Sequence, residues 1–120
     1  MSGSRVLMLV EDDPTTRRAL GGIFAMKGWA VCLAASVSEA MALLDHGLEA
    51  DMLVLDLMLP DGPGEDILRR VRSANLKTVV VICSATHDPA RMGKLENLAP
   101  DAVLPKPVDL ERLLSLCETM

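Results

Sequence analysis

Aromatic side chains are almost absent from this chain of 120 residues: one Phe, one Trp and no Tyr. Half of the residues are nevertheless hydrophobic, which argues against disorder. Any core must therefore be aliphatic. Cysteine is also scarce. The three thiols, Cys32, Cys83 and Cys117, are odd in number and show no C-x-x-C spacing, so neither a disulfide framework nor a Cys-based zinc site is expected. Cys32 and Cys83 lie in apolar runs, where small thiols pack in a core, and the usage fits a reducing compartment. Cations are outnumbered, 12 against 17, for a net charge of −5. That balance argues against direct binding of nucleic acid or of an anionic membrane surface. No apolar stretch has the length of a membrane span, and the opening "MSGS" lacks the apolar centre of a signal peptide. A cytoplasmic location is expected. The chain contains neither a G-x-x-x-x-G-K-[ST] nor a G-x-G-x-x-G phosphate loop. No His accompanies a Ser or Cys in a triad pattern.

What is present is an alternation of short apolar runs and helical patterns. The first run, "RVLMLV", is followed by "EDDPTTRRAL", where Asp13 can cap a helix that has Pro14 at its first position. Ala19, Leu20, Ile23, Phe24 and Met26 are expected to form the apolar face of that helix, and Gly28 to end it. "AVCLA" reads as a second strand, and Ser36 with Glu39 as a capping box for a helix reaching about His46. "DMLVLD" is a third strand, ending on Asp56. A Pro- and Gly-rich loop then leads to a helix over about 65–73. "TVVVICS" is β-branched and nearly continuous, as in a strand buried on both faces. Asp88 and Pro89 open a fourth helix expected to end near Ala99. "DAVLP" is a fifth strand, and Asp109 caps the last helix. This pattern predicts one α/β domain over 5–120 after a flexible 1–4. Its architecture is a doubly wound, five-stranded parallel sheet with helices on both faces and right-handed crossovers.

Ligands in such folds sit beyond the carboxyl ends of the strands, where strand order reverses. Those ends carry Glu11-Asp12-Asp13, Asp56, Ser84 and Lys106. Singly, each has an ordinary structural role: a cap, a strand end, a solvated cation. With strand order 2-1-3-4-5 they converge. Two carboxylates about 4–5 Å apart repel by about 3–4 kcal/mol at an effective dielectric near 20, so crowded acids must shift their pKa values or recruit cations. Lys106 supplies one positive charge and a divalent ion two more. Oxygen donors without a His/Cys set favour Mg²⁺, or Mn²⁺, over zinc. The set suits phosphoryl transfer onto a carboxylate, with Asp56 attacking phosphorus while Ser84, Lys106 and the metal stabilise the phosphoryl oxygens.

At this point the sequence resembles the response-regulator receiver domains of bacterial two-component signalling. The likeness covers residues 5 to about 118, through "VLMLVEDDPTTRRAL", "MLVLDLMLPDGPGEDIL", "VVVICSA" and "AVLPKPVDL". Pro60 and Gly64 fall four and eight places after Asp56, as in the family loop. The resemblance implies a flavodoxin-like (βα)5 fold with Asp56 as phosphoacceptor, Ser84 on the phosphoryl group and Lys106 on its oxygens. It implies Mg²⁺ held by Asp12, Asp56 and the backbone carbonyl of Met58, with Glu11 acting largely through water. It also implies a cis Lys106–Pro107 bond. Met58 and Thr86 would flank the attacking water and, being poor at orienting it, imply a slow loss of phosphate. The implied partners are a histidine kinase or phosphotransfer protein and an output domain or protein, with homodimerisation through the fourth helix, fifth strand and fifth helix as one mode of output. The chain would not be an enzyme beyond its own phosphorylation and dephosphorylation.

Two positions depart from the family. Val103 stands where a switch aromatic is usual, and Val108 follows Lys-Pro where Phe is frequent. The alternative reading is therefore a receiver-like module that docks a partner without phosphorylation. A haloacid-dehalogenase-type phosphatase would need an acid two places after the nucleophile, where this chain has Met58. The docking face is expected to expose some of Arg91, Lys94, Glu96, Asp101, Glu111 and Arg112. His46 and His87 are expected at the surface.

Overall fold

The computed structural model describes residues 5–74, 77–85 and 88–119. The N-terminal 1–4, Thr86 and His87 therefore lie outside the described residues. Five strands, β1 (Val6–Val10), β2 (Ala30–Ala34), β3 (Met52–Asp56), β4 (Val79–Ser84) and β5 (Ala102–Pro105), alternate with α1 (Pro14–Met26), α2 (Val37–Asp45), α3 (Glu65–Ser73), α4 (Pro89–Glu96) and α5 (Leu110–Glu118). All sheet pairings are parallel, in the order β2-β1-β3-β4-β5. This is the doubly wound (βα)5 architecture expected from the sequence. A short antiparallel hairpin, Met58–Leu59 with Gly62–Pro63, lies between β3 and α3.

Successive side chains of a strand point to opposite faces, and the central strands divide their residues accordingly. Met8, Val10, Leu53, Leu55, Val80 and Ile82 meet Ala40, Leu44, Ile67, Leu68, Val71 and Leu95 from α2, α3 and α4. Leu7, Leu9, Met52, Val54, Val81, Cys83 and Leu104 meet Phe24 of α1 and Leu113 and Cys117 of α5. With both faces covered, β3 is buried along its whole length. A near-continuous apolar run is what a central parallel strand requires.

Helix starts follow the capping signals. Asp13, Ser36, Asp88 and Asp109 each accept from a backbone N–H of the first turn. Glu39 reaches back to the N–H of Ala35 at 3.1 Å, one residue before the Ser36 cap, so the expected capping box forms in a displaced version. Two expectations need correction. On α1, Gly21 and Phe24 are buried, whereas Ala19 is exposed and Met26 is 89% exposed. At about 100° per residue, Met26 sits roughly opposite Phe24. The fourth helix stops at Glu96 rather than near Ala99. Pro100 disfavours the right-handed helical region for the residue before it, and Ala99 adopts a left-handed φ of 55°.

A side chain in that region costs roughly 1–2 kcal/mol, of which glycine's extra unfolded-state freedom cancels part. Ala99→Gly is accordingly expected to raise the unfolding free energy by about 0.5–1 kcal/mol in urea titrations. A destabilised variant would contradict this account of the helix end.

Candidate functional site

The order reversal lies between β1 and β3, and the acids converge beyond their carboxyl ends. β1 pairs with β3 up to Val10–Leu55, so Glu11 and Asp56 follow side by side. β3 pairs with β4 up to Asp56–Cys83, which brings Ser84 alongside. β4 pairs with β5 at Ser84–Pro105, and Lys106 comes next in the chain. Glu11, Asp12 and Asp56 can each offer an oxygen within 4.8 Å of the others. Glu11, Asp56 and Ser84 are buried, while Asp12 is exposed.

Lys106 holds this cluster together. Its ammonium donates to Asp56 Oδ2 at 2.8 Å and to Glu11 Oε1 at 3.0 Å. The N–H of Met58 donates to Asp56 Oδ1 at 3.0 Å. Both Asp56 oxygens therefore face fixed donors. Burial raises the Glu11 pKa, and the Asp56 charge adds to this while Lys106 opposes it. For Lys106, burial disfavours the ammonium, but bonds to Asp56 and Glu11 outweigh it and lift the pKa above the ordinary lysine value. The Lys106–Pro107 peptide is cis. A cavity of about 270 Å³ adjoins the site, with Glu11, Asp56 and Lys106 on its polar side and Leu20, Cys83 and Val108 on its apolar side. Burial pushes the Cys83 thiol up to about 12, so it stays protonated and unreactive.

The loop after Asp56 is held from three elements. Asp61 accepts from the N–H groups of Val37 and Ser38 at 2.8 and 2.9 Å, capping α2 from across the fold. Those bonds hold the Asp61 carboxyl below its ordinary range, Ser38 contributing most. Gly64 donates to the Leu57 carbonyl at 3.0 Å. A Cβ at Gly64 would fall 2.4 Å from the Asp56 carbonyl oxygen, so this close approach requires glycine. From α4, Arg91 grips Glu65 with Nε–Oε2 at 2.7 Å and Nη2–Oε1 at 2.8 Å, and donates to the Leu57 carbonyl at 3.0 Å. On the β1 side, Arg17 donates to the carbonyls of Glu11 and Asp12 at 2.8 and 3.2 Å.

Arg17, Asp61, Glu65 and Arg91 escape a reading of sequence alone. The available signal for Glu65 was an acid three residues before buried Leu68, on the same helix face. Asp61 has no local signal, because its partners lie 23 and 24 residues away. The expected docking face is largely kept. Asp101 stays exposed while accepting from the Val80 N–H and from Arg72. Arg91 alone of the six is turned to Glu65 and Leu57 and partly buried. Lys94, Glu96, Glu111 and Arg112 are exposed as anticipated. Met58 is 56% and Val103 40% exposed. His46 is exposed, its ring nitrogen 2.7 Å from the Ala42 carbonyl.

Two outcomes test this geometry. Gly64→Ala should move the Asp56 carbonyl and lower stability by at least about 2 kcal/mol, because the clash is with backbone. An unchanged urea midpoint would contradict the close packing. Glu65 has its pKa lowered from 4.5, chiefly by the Arg91 hydrogen bonds and against burial. Its folded pKa lies below the unfolded one, so its stabilisation is complete above pH 4.5 and is lost as pH falls through the folded value. Glu65→Gln should therefore cost about 1–2 kcal/mol at neutral pH, and the gap should close in acid. A pH-independent gap would reject the ion pair as its cause.

Comparison with known proteins identifies the family and the fold. The family model for the response regulator receiver domain matches residues 7–118. The chain is 31% identical over 109 residues to the transcriptional regulatory protein DltR of Streptococcus agalactiae, covering 91% of this chain and 48% of that protein. It is 34% identical over 108 residues to the Regulator of RpoS of Escherichia coli, covering 89% and 32%. It is 32% identical over 123 residues to the sensor kinase CckA of Brucella abortus, covering 100% and 13%. The chain thus spans about half or less of the length of these relatives. Its fold superposes on a CheY-like receiver domain from Methanospirillum hungatei with a TM-score of 0.90 at 20% identity, covering 98% of this chain and 93% of that one. A response regulator receiver protein from Pseudomonas putida gives 0.89 at 24% identity, with both chains fully covered. The chain belongs to the response regulator receiver domain family, the signalling modules of two-component systems.

Proposed function

We propose that residues 5–120 form a receiver that accepts a phosphoryl group on Asp56 and thereby changes a protein-binding surface. One observation carries this reading. A buried carboxylate at the switch point has one oxygen on the Lys106 ammonium and the other on the Met58 N–H, with Glu11 and Asp12 beside it. In the transfer, an Asp56 oxygen bonds to phosphorus as the bond from phosphorus to the donor nitrogen of a phosphohistidine breaks. The donor would be a histidine kinase or a phosphotransfer protein. Lys106 and Ser84 are assigned to the phosphoryl oxygens, where fixed donors stabilise charge developing in transfer.

The donor set of Glu11, Asp12 and Asp56 is all-oxygen and hard, which fits Mg²⁺ or Mn²⁺. Asp12, Asp56 and the Met58 carbonyl would hold the ion directly, and Glu11 through water. Bound there, it would neutralise the acids and the incoming phosphoryl charge. Met58, exposed beside Asp56, is a thioether that cannot orient water as an acid or amide would, and the same lack is assigned to Thr86 from its place in the sequence. Slow hydrolysis of the acyl phosphate follows. Output is assigned to the exposed face of α4, β5 and α5, through an output domain, a separate protein or a second copy. The assigned setting is the cytoplasm.

The chain, incubated with Mg²⁺ and acetyl phosphate, should gain one phosphoryl group by intact mass. Asp56→Asn or removal of Mg²⁺ by chelation should abolish the gain. The group should persist for minutes or longer after the donor is removed; a half-life of seconds would overturn the roles given to Met58 and Thr86. The exposed Val103 in place of an aromatic favours the alternative of a constitutive docking module. Failure of Asp56 to label from both acetyl phosphate and a phosphohistidine donor would establish that alternative.

A further inference from the structure

The switch position of this chain holds Val103, whose χ1 is restricted by β-branching and whose small side chain cannot carry a displacement from Ser84 to the far side of β5. A different connection leads out of the site. Asp56 Oδ1 accepts from the Met58 N–H at 3.0 Å. The Leu57 carbonyl, one residue back, accepts from Arg91 Nη2 at 3.0 Å, and Arg91 Nη1 contacts Met58 Sδ at 3.2 Å. Arg91 lies in the first turn of α4 and is fixed on its other edge by both oxygens of Glu65. The two-residue segment Leu57–Met58 thus touches the acceptor carboxylate on one side and a side chain of α4 on the other.

We infer that Arg91 is a positioning residue that couples the backbone at Leu57–Met58 to α4, taking over the relay that an aromatic at 103 would provide. The inference rests on the phosphoacceptor reading given above. The chemistry requires arginine. A planar guanidinium with five donors can hold both Glu65 oxygens and a backbone carbonyl at once, whereas a lysine ammonium is a point charge on a flexible stem. Glu65 is only 9% exposed and Leu57 fully buried, while the Arg91 side chain is 24% exposed, so its bonds to Glu65 and Leu57 are partly shielded from water. The Leu57 carbonyl also accepts from Gly64 at 3.0 Å, so both of its lone pairs are used. A displacement of that carbonyl on phosphorylation must then move α3, α4 or both.

Contact alone does not demonstrate coupling, and the test separates the two. Amide NMR spectra of the full chain are recorded with Mg²⁺, with and without beryllofluoride as the phosphoryl mimic. The proteins compared are wild type, Arg91→Met, Arg91→Lys and the double variant Glu65→Leu/Arg91→Met. The double variant replaces a partly buried ion pair by apolar groups, a change that folded cores often tolerate. In wild type, beryllofluoride should shift Met58, Ser84 and the α4 amides of Met92–Leu95. In the variants, the Met58 and Ser84 shifts should persist, while those of α4 fall to roughly a third or less of their wild-type size. A purely structural role would not separate the two sets. Full α4 shifts in both Arg91→Met and the double variant would overturn the inference alone. No beryllofluoride shift at Met58 or Ser84 in wild type would overturn the phosphoacceptor reading, and this inference with it.

Discussion

The structure turns on one ammonium group. Lys106 sits between Glu11 and Asp56, two buried carboxylates whose mutual repulsion would otherwise oppose the fold at the edge of its core. Those residues are 95 and 50 positions away from it in sequence, so the contact exists only when β1, β3 and β5 occupy their places in one sheet. Parallel registers carry each residue to the same end. The apolar strands hold the registers because a one-residue slip would turn every side chain to the opposite face. The same arrangement that offsets part of the acids' charge leaves Glu11, Asp12 and Asp56 as a set of oxygen donors beside a cation.

The loop that follows Asp56 is the second organising feature. It runs over the surface, yet α2, α3 and α4 each hold it through Asp61, Gly64 and Arg91. Side-chain capping of α2 from this loop satisfies backbone donors that a helix start cannot pair within itself. These bonds connect the backbone next to Asp56 to three helices, which is the geometric basis of the coupling inferred above. This matters in a chain that places Val103 where an aromatic would ordinarily respond. The Glu65–Arg91 pair supplies a mechanical link of a different kind, through hydrogen bonds to backbone instead of a ring that changes rotamer.

Much of the fold was legible in the sequence because its signals are local. Alternating apolar runs and capping residues such as Asp13, Ser36 and Asp109 act within a few positions of themselves, and the structure uses them as the pattern suggested. Where local signals competed, the outcome shifted. Met26 belongs to the apolar set of α1 by type but not by angle, and Ala99 lost the helix to the proline that follows it.

By itself the sequence determined the α/β alternation, the strand order through its recognisable motifs, and the residue types gathered at the strand ends. The alternation and the strand-end residues depend on periodicity and spacing along the chain, and the strand order on the family resemblance that the motifs carry. Only the tertiary structure decided that Lys106 bridges both acids, that Asp61 caps α2, and that Arg91 turns inward to Glu65 and Leu57 rather than outward to a partner. Such pairings join groups far apart in sequence, and no local pattern encodes them. A charged side chain looks the same in sequence whether water or a buried carboxylate is its partner, and the packing of helices on the sheet makes that choice.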